Sequence, residues 1–299
     1  VRTGRKGLKV ASPPVMRVMR VLDYLALHPD EEFTISDLAR RVGLNKATCH
    51  TIVTTLVEQE YLTRGAVSGR IQLGPALIPL GLVAEQRFRP LDVARTELHA
   101  LADDLGVPVV VSIRTGSEIL HLAHYGPASV FSAMSRAGQR IPLLPPVGAT
   151  FYAWSTDEVI DAWLDSLPHS GEQARQVFRK ALAQARSLGY VAGGDSPLWR
   201  DLASTVREIE SSDASHSRRW VEERIRDADL ASYMGDPGEN QGSAGFVSAP
   251  VFDSAGEVEL TVTVHLGDSV TIDVDDVVRR LTNLTAHMTV ASGGRAPTL

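Results

Sequence analysis

Cysteine is almost absent: Cys49 is the only one in 299 residues, so an internal disulfide and a thiolate-rich metal site are both excluded. No run of about 18 uncharged apolar residues occurs, and no apolar segment follows the basic opening Val1 to Val10. Neither a spanning helix nor a signal peptide is expected, and the expected location is the cytoplasm. Also missing are a Gly-x-Ser-x-Gly nucleophile turn, a P-loop lysine motif and a dinucleotide-binding glycine fingerprint. His121 and His124 are the best metal suspects, but residues three apart on a regular strand face opposite sides. The pairs Asp103-Asp104 and Asp275-Asp276 read as solvated charge on helix surfaces. No metal, no cofactor and no catalytic constellation is expected, which makes an enzyme the weakest of the function classes.

What is present is an ordinary globular composition, 43% apolar and 22% charged, with length for two domains at roughly 150 residues each. The formal charge of −6 is unevenly spread: residues 1 to 88 hold 12 Lys/Arg against 8 Asp/Glu, and the remainder holds 18 against 28. A basic head on an acidic body suits a polyanion-binding module joined to one that handles something else. An ordinary mixed surface produces such an imbalance as well.

Residues 1–14 are basic, aperiodic and end in Ser12-Pro13-Pro14, so a mobile arm is expected. A first helix carries Val15, Val18, Leu22 and Leu25 on one face and stops at His28-Pro29. Thr34 caps a short helix through Val42, Gly43 breaks it, and Asn45 caps a second with Cys49, Ile52, Val53, Leu56 and Val57 on one face. Two short helices across a glycine turn make a helix-turn-helix. Tyr61 to Arg64 and Arg70 to Leu73, around a glycine-bounded loop, form a hairpin placed as a wing. The winged helix thus spans 15–73, and 74–88 reads as a linker helix with Leu77, Leu80, Val83 and Ala84 apolar and Pro79 oddly inside it.

The second domain, 89–299, opens with a helix from Leu91 to Leu105, followed by a hairpin of Val107 to Ile113 with Glu118 to Tyr125. Val130 to Ser135 and Gln139 to Leu143 look like further strands, and Ser155 with Glu158 suggests a capping box for a helix to about Leu167. A helix over Gln173 to Leu188, a hairpin of Gly245 to Phe252 with Glu257 to His265, and a last helix carrying Val277, Leu281, Leu284 and Met288 complete an α+β domain. Between Trp199 and Gly242 the chain is densely charged, with a weak apolar repeat near Trp220, Ile225 and Leu230, and reads as an insertion of surface helices or loop.

The block Val15 to Gly81 resembles the IclR-type bacterial transcriptional regulators. Thr-Ile-Ser-Asp-Leu-Ala-Arg-Arg-Val-Gly-Leu (34 to 44), Lys-Ala-Thr-Cys-His (46 to 50), Tyr-Leu-Thr-Arg (61 to 64) and Arg-Ile-Gln-Leu-Gly-Pro-Ala-Leu (70 to 77) carry the likeness. Ile141-Pro142-Leu143 and Ala249-Pro250-Val251-Phe252-Asp253 extend it more loosely. The resemblance implies a winged helix, a linker helix and a GAF-like effector domain, assembled as dimers or tetramers that regulate transcription. Family members commonly have His-Ala-Thr in the effector loop, where this chain has Leu144-Pro145-Pro146, and often a cysteine near Phe246-Val247-Ser248.

Duplex DNA presents closely spaced phosphates and a major groove that admits one helix. With Cys49, Ile52 and Leu56 turned inward, Ala47, Thr48, Thr51 and Thr54, with His50 beside them, are the expected base readers. Asn45 and Lys46 suit phosphate; Arg40, Arg41, Arg64 and Arg70 are phosphate contacts or plain surface charge. No arginine occupies the centre of that face, so methyl contacts to thymine by Thr and Ala are expected. One helix reads few base pairs, so a symmetric dimer on a palindromic operator is expected, with Leu77, Leu80 and Val83 as its seam.

The effector site is expected around Leu143, Leu144, Pro145, Pro146, Phe151, Tyr152, Trp154 and Phe246, with Ser112, Arg114, Arg136 or Arg140 as polar anchors. The same residues suit plain core, which would leave a regulator without a switch. Loss of the polar loop residues disfavours a small hydrophilic acid and favours a larger, more apolar ligand, aromatic or lipid-like. A small-molecule sensor or oligomerisation protein without ligand-switched DNA binding is the alternative function.

Overall fold

The computed structural model describes residues 12–127, 135–166, 172–194, 244–267 and 272–297, and the chain divides into two compact units between Ala84 and Glu85. The basic arm up to residue 11, most of the strand expected from Val130, and the charged insertion near 200–242 lie outside the described residues.

In the first unit, α1 (Pro13–Leu27) has proline in its opening positions, where no intrahelical N–H is required. Ser12 to Pro14 therefore open the helix instead of closing an arm. Val21, Tyr24 and Leu25 are its buried face. The Thr34 hydroxyl accepts from the Asp37 N–H at 3.2 Å to cap α2 (Ile35–Arg41), and Asn45 Oδ1 accepts from the Thr48 N–H at 2.8 Å to cap α3 (Lys46–Glu58). Between them Gly43 adopts φ +66° with open space where a Cβ would stand, so glycine serves the backbone conformation and not the packing. The Leu44 N–H closes the turn on Ala39 O at 2.8 Å. Strands β1 (Leu62–Arg64) and β2 (Ile71–Leu73) pair antiparallel, and Phe33 bridges Ile71 as a short third member. Leu38, Ala39, Cys49, Val53, Leu62 and Ile71 unite helices and wing in one core.

The linker helix is shorter than expected: α4 spans Leu77–Glu85. Pro79 falls in its first turn, where a missing N–H costs no intrahelical bond. No residue of α4 is buried.

The second unit opens with α5 (Arg89–Val93) and α6 (Arg95–Leu105), two helices separated at Ala94 where one was expected. Its sheet is antiparallel throughout, in the order β5-β4-β3-β8-β7-β6, from β3 (Val109–Thr115), β4 (Glu118–Tyr125), β5 (Arg140–Pro142), β6 (Val191–Gly194), β7 (Ala244–Phe252) and β8 (Val258–His265). One face, with Val109, Val111, Val247, Val262 and Val264, packs on Leu98 and Leu101 of α6 and on Val277, Leu281 and Met288 of α10 (Val274–Ala291). The other face meets a second core that includes α7 (Ala149–Tyr152), α8 (Asp157–Leu164) and α9 (Glu172–Leu188). Thr156, not Ser155, takes the N-cap position of α8, and the helix ends at Leu164. Among the described residues no helix is long and apolar enough to cross a membrane.

Candidate DNA-contact surface and ligand cavity

Burial of Cys49 and Val53 fixes how α3 presents its other side. Asn45, Lys46, Ala47, His50, Thr51 and Thr54 are exposed and Thr48 is half-buried. The Thr51 hydroxyl donates to Ala47 O at 3.1 Å, within the helix, and that leaves its methyl and oxygen lone pairs for an external partner. His50 Nδ1 lies 3.4 Å from Thr54 Oγ1. The cations differ in how they are held. Arg40 pairs with Asp37 at 2.8 Å, and Thr34 and Arg40 together hold the Asp37 carboxyl below the usual carboxylate range, the Thr34 hydrogen bond being the larger cause. Arg70 donates to Glu32 O at 2.8 Å and Arg64 to Gly69 O at 3.3 Å, which ties both to the wing and the turn before α2. Arg41 and Lys46 have no ion pair among the described residues.

The second site lies on the sheet face turned away from α6 and α10. Register places Ser112 opposite both His121 and Thr261, Val110 opposite Thr263, Thr263 opposite Ser248, and His265 opposite Phe246. This polar row floors a cavity of about 90 Å³ whose walls include Ile119, Ile141, Pro146, Val147, Phe151, Val191 and Phe246. Ser112 Oγ lies 2.7 Å from His121 Nδ1, and the Thr263 hydroxyl donates to Ser248 Oγ at 2.9 Å. Burial pushes the His265 imidazole down to about 3, with His121 and His124 opposing its charge further. Burial lowers His124 as well. Among the described lining residues there is no Lys, Arg, Asp or Glu.

The expectation that His121 and His124 face opposite sides fails because β4 is bulged. Val111 pairs with Ala123 and Ser112 with His121, leaving Leu122 as an extra residue. Leu122 and Ala123 both pack toward the helices, and His124 returns to the cavity face opposite Val110. Still, no group of three or more His, Cys, Asp and Glu among the described residues is arranged to hold a metal ion.

Of the residues expected at an effector site, Ser112, Pro146, Phe151 and Phe246 line this cavity. Leu143 and Leu144 are buried in the adjoining core, and Pro145 is buried off the lining. Trp154 packs edge-on against Phe252 at 5.5 Å. Arg114 is exposed, its guanidinium 5.4 Å from the Tyr152 ring centre, Arg140 pairs with Glu118 at 3.3 Å, and Arg136 is half-buried away from the lining. Sequence reasoning missed Thr150, Ser248, Thr261, Thr263 and His265, and weighed His121 only as a metal ligand. The signal was available in part: Thr261, Thr263 and His265 alternate strictly with Leu260, Val262 and Val264, which marks a strand with one apolar and one polar face.

A winged helix with a capped, solvent-facing second helix, joined to an α+β unit, is the architecture of a DNA-binding regulator with a second domain. Residues 14–66 match the family model of the IclR helix-turn-helix domain. The glycerol operon regulatory protein of Streptomyces coelicolor is 36% identical over 208 residues, 62% of this chain and 72% of that protein. The crystal structure of an IclR transcriptional regulator from Alicyclobacillus acidocaldarius superposes with a TM-score of 0.62 at 22% identity, covering 95% of this chain and 100% of that one. An IclR homologue from Microbacterium hydrocarbonoxydans, solved in complex with 4-hydroxybenzoate, has a TM-score of 0.60 at 20% identity, covering 93% and 98%. The chain belongs to the IclR family of transcriptional regulators. It is a DNA-binding transcriptional regulator.

Proposed function

We propose that the protein binds a palindromic operator as a dimer or higher assembly, and that a small, largely apolar molecule in the sheet cavity modulates that binding. In this reading α3 enters the major groove, with Ala47, Thr48, His50, Thr51 and Thr54 against base edges. Asn45, Lys46, Arg40, Arg41, Arg64 and Arg70 lie along phosphates. The exposed hydroxyl and methyl groups of α3 support thymine-methyl contacts over guanine recognition by arginine. The observation that carries the regulatory half is the cavity itself, with walls mostly of carbon and a floor of hydroxyls and imidazoles, the composition of a small-molecule site. The neighbour solved with 4-hydroxybenzoate supports a ligand site in this fold.

A gel shift on the DNA flanking the protein's own gene tests this reading. Binding is expected to weaken steeply with salt, because each neutralised phosphate releases counterions, and Lys46→Ala should lower the salt slope by about 1. Ligands found by thermal shift should change the midpoint of that titration. A complex insensitive to salt, or ligands that stabilise the protein without moving its DNA affinity, would leave a sensor without a DNA switch.

A further inference from the structure

Two of the arginines in the winged helix come with carboxylates of their own. The turn before α2 sets Glu32 beside the wing, and the Phe33 carbonyl accepts from the Ile71 N–H at 2.8 Å to hold β2 there. Arg70 Nη1 donates to Glu32 O at 2.8 Å, its Nε lies 3.6 Å from Glu32 Oε2, and Gln72 Nε2 donates to Glu32 Oε1 at 3.4 Å. Asp37 takes Arg40 at 2.8 Å on one carboxylate oxygen and the Thr34 hydroxyl at 2.6 Å on the other. Besides that hydroxyl and Arg40, Arg70 also favours the charged form of Asp37, so the two pairs adjoin as one formally neutral group.

On the proposal that α3 enters the major groove, we infer that Glu32 and Asp37 are a brake on DNA binding. They cancel the charge of Arg70 and Arg40 where the domain meets the phosphate backbone, and so hold down affinity for every duplex alike. In a helix-turn-helix the first helix crosses the backbone; here that helix is α2, with Asp37 in its first turn and Glu32 just ahead of it. The four side chains are between 41% and 73% exposed, so the pairs are loosely held and either arginine can turn toward a phosphate. Its carboxylate then still lies well inside the roughly 8 Å over which charge is felt at physiological salt. The group therefore releases few counterions. Arg41 and Lys46, without an ion pair among the described residues, bring their charge undiminished. Neutralising one carboxylate leaves the group positive, and binding strengthens; loss of a positioning contact would weaken it.

Fluorescence anisotropy on the full-length chain reads the effect, with the DNA flanking its own gene and a shuffled duplex of equal length and composition, from about 50 to 200 mM salt. Glu32→Gln keeps an acceptor for Gln72 and the backbone bond to Arg70. It is expected to steepen the slope of log K against log salt by about 1 and to tighten both duplexes several-fold at the low-salt end. Glu32→Lys should steepen it by about 2, and Asp37→Asn, at the other pair, by about 1. Slopes unchanged in both neutralised variants overturn the inference, as does tightening confined to the operator, which a general charge effect cannot produce. If Glu32→Gln loses its thermal unfolding transition, Asp37→Asn decides the matter alone. The DNA reading fails separately: a wild type that binds neither duplex in a salt-dependent way removes that reading and the brake with it. A wild type whose slope falls by about 1 in Lys46→Ala, while both carboxylate variants keep the wild-type slope, loses the brake alone.

Discussion

His265 is the side chain whose environment most alters its ordinary chemistry, and it gives the fold a pH dependence of definite sign. Its folded value is held at about 3, against 6.5 for an unperturbed imidazole. Between those values the unfolded chain binds a proton that the folded chain refuses, so falling pH favours unfolding. Stability from this residue is complete above about pH 6.5 and is lost as pH falls toward 3, by at most about 1.4 kcal/mol per unit. His124, lowered by burial, adds in the same direction. Urea midpoints at pH 7 and near pH 5 should differ for the wild type and differ much less for His265→Gln. Equal slopes in the two proteins would place the acid sensitivity elsewhere.

Among the elements, α3 depends on a single cap. Removing the Asn45 side chain frees the Thr48 N–H that it satisfies, so Asn45→Ala is expected to cost about 1 kcal/mol of stability in the winged helix. Operator affinity in a gel shift should weaken alongside, since the same turn presents Lys46 and Ala47; a stable variant with unchanged affinity would remove the N-terminus of α3 from the interface. This element was legible in the sequence because what makes it is local: Thr34 with Asp37, Gly43, and Asn45 all act within a few residues of one another. The cavity was only half legible. Its floor draws on Ser112, His121, Ser248, Thr261 and His265, brought together by strand pairing across as many as 153 residues of sequence. A bulge also broke the alternation by which His121 and His124 would have been placed. Periodicity within a strand shows which residues share a face, but not which face meets helices and which meets open space.

At the scale of the whole molecule, α4 is conspicuous for leaving Ile78, Leu80, Leu82 and Val83 between 52% and 63% exposed. Apolar side chains grouped on one short helix are a common mark of a contact surface, and two recognition helices on one operator require two chains. Light scattering at micromolar concentration should therefore report a dimer or larger, and Leu80→Glu combined with Val83→Glu should shift it toward monomer and flatten the operator titration. A wild-type monomer would contradict the assembly. The bulge in β4 has a consequence of another kind. Because Leu122 is surplus to the pairing of β3 with β4, deleting it restores a regular ladder and leaves His121 opposite Ser112 and His124 opposite Val110. The strand thus contains a position at which the chain is one residue longer than its pairing with β3 needs, and the surplus is what brings His121 and His124 onto one face of the sheet.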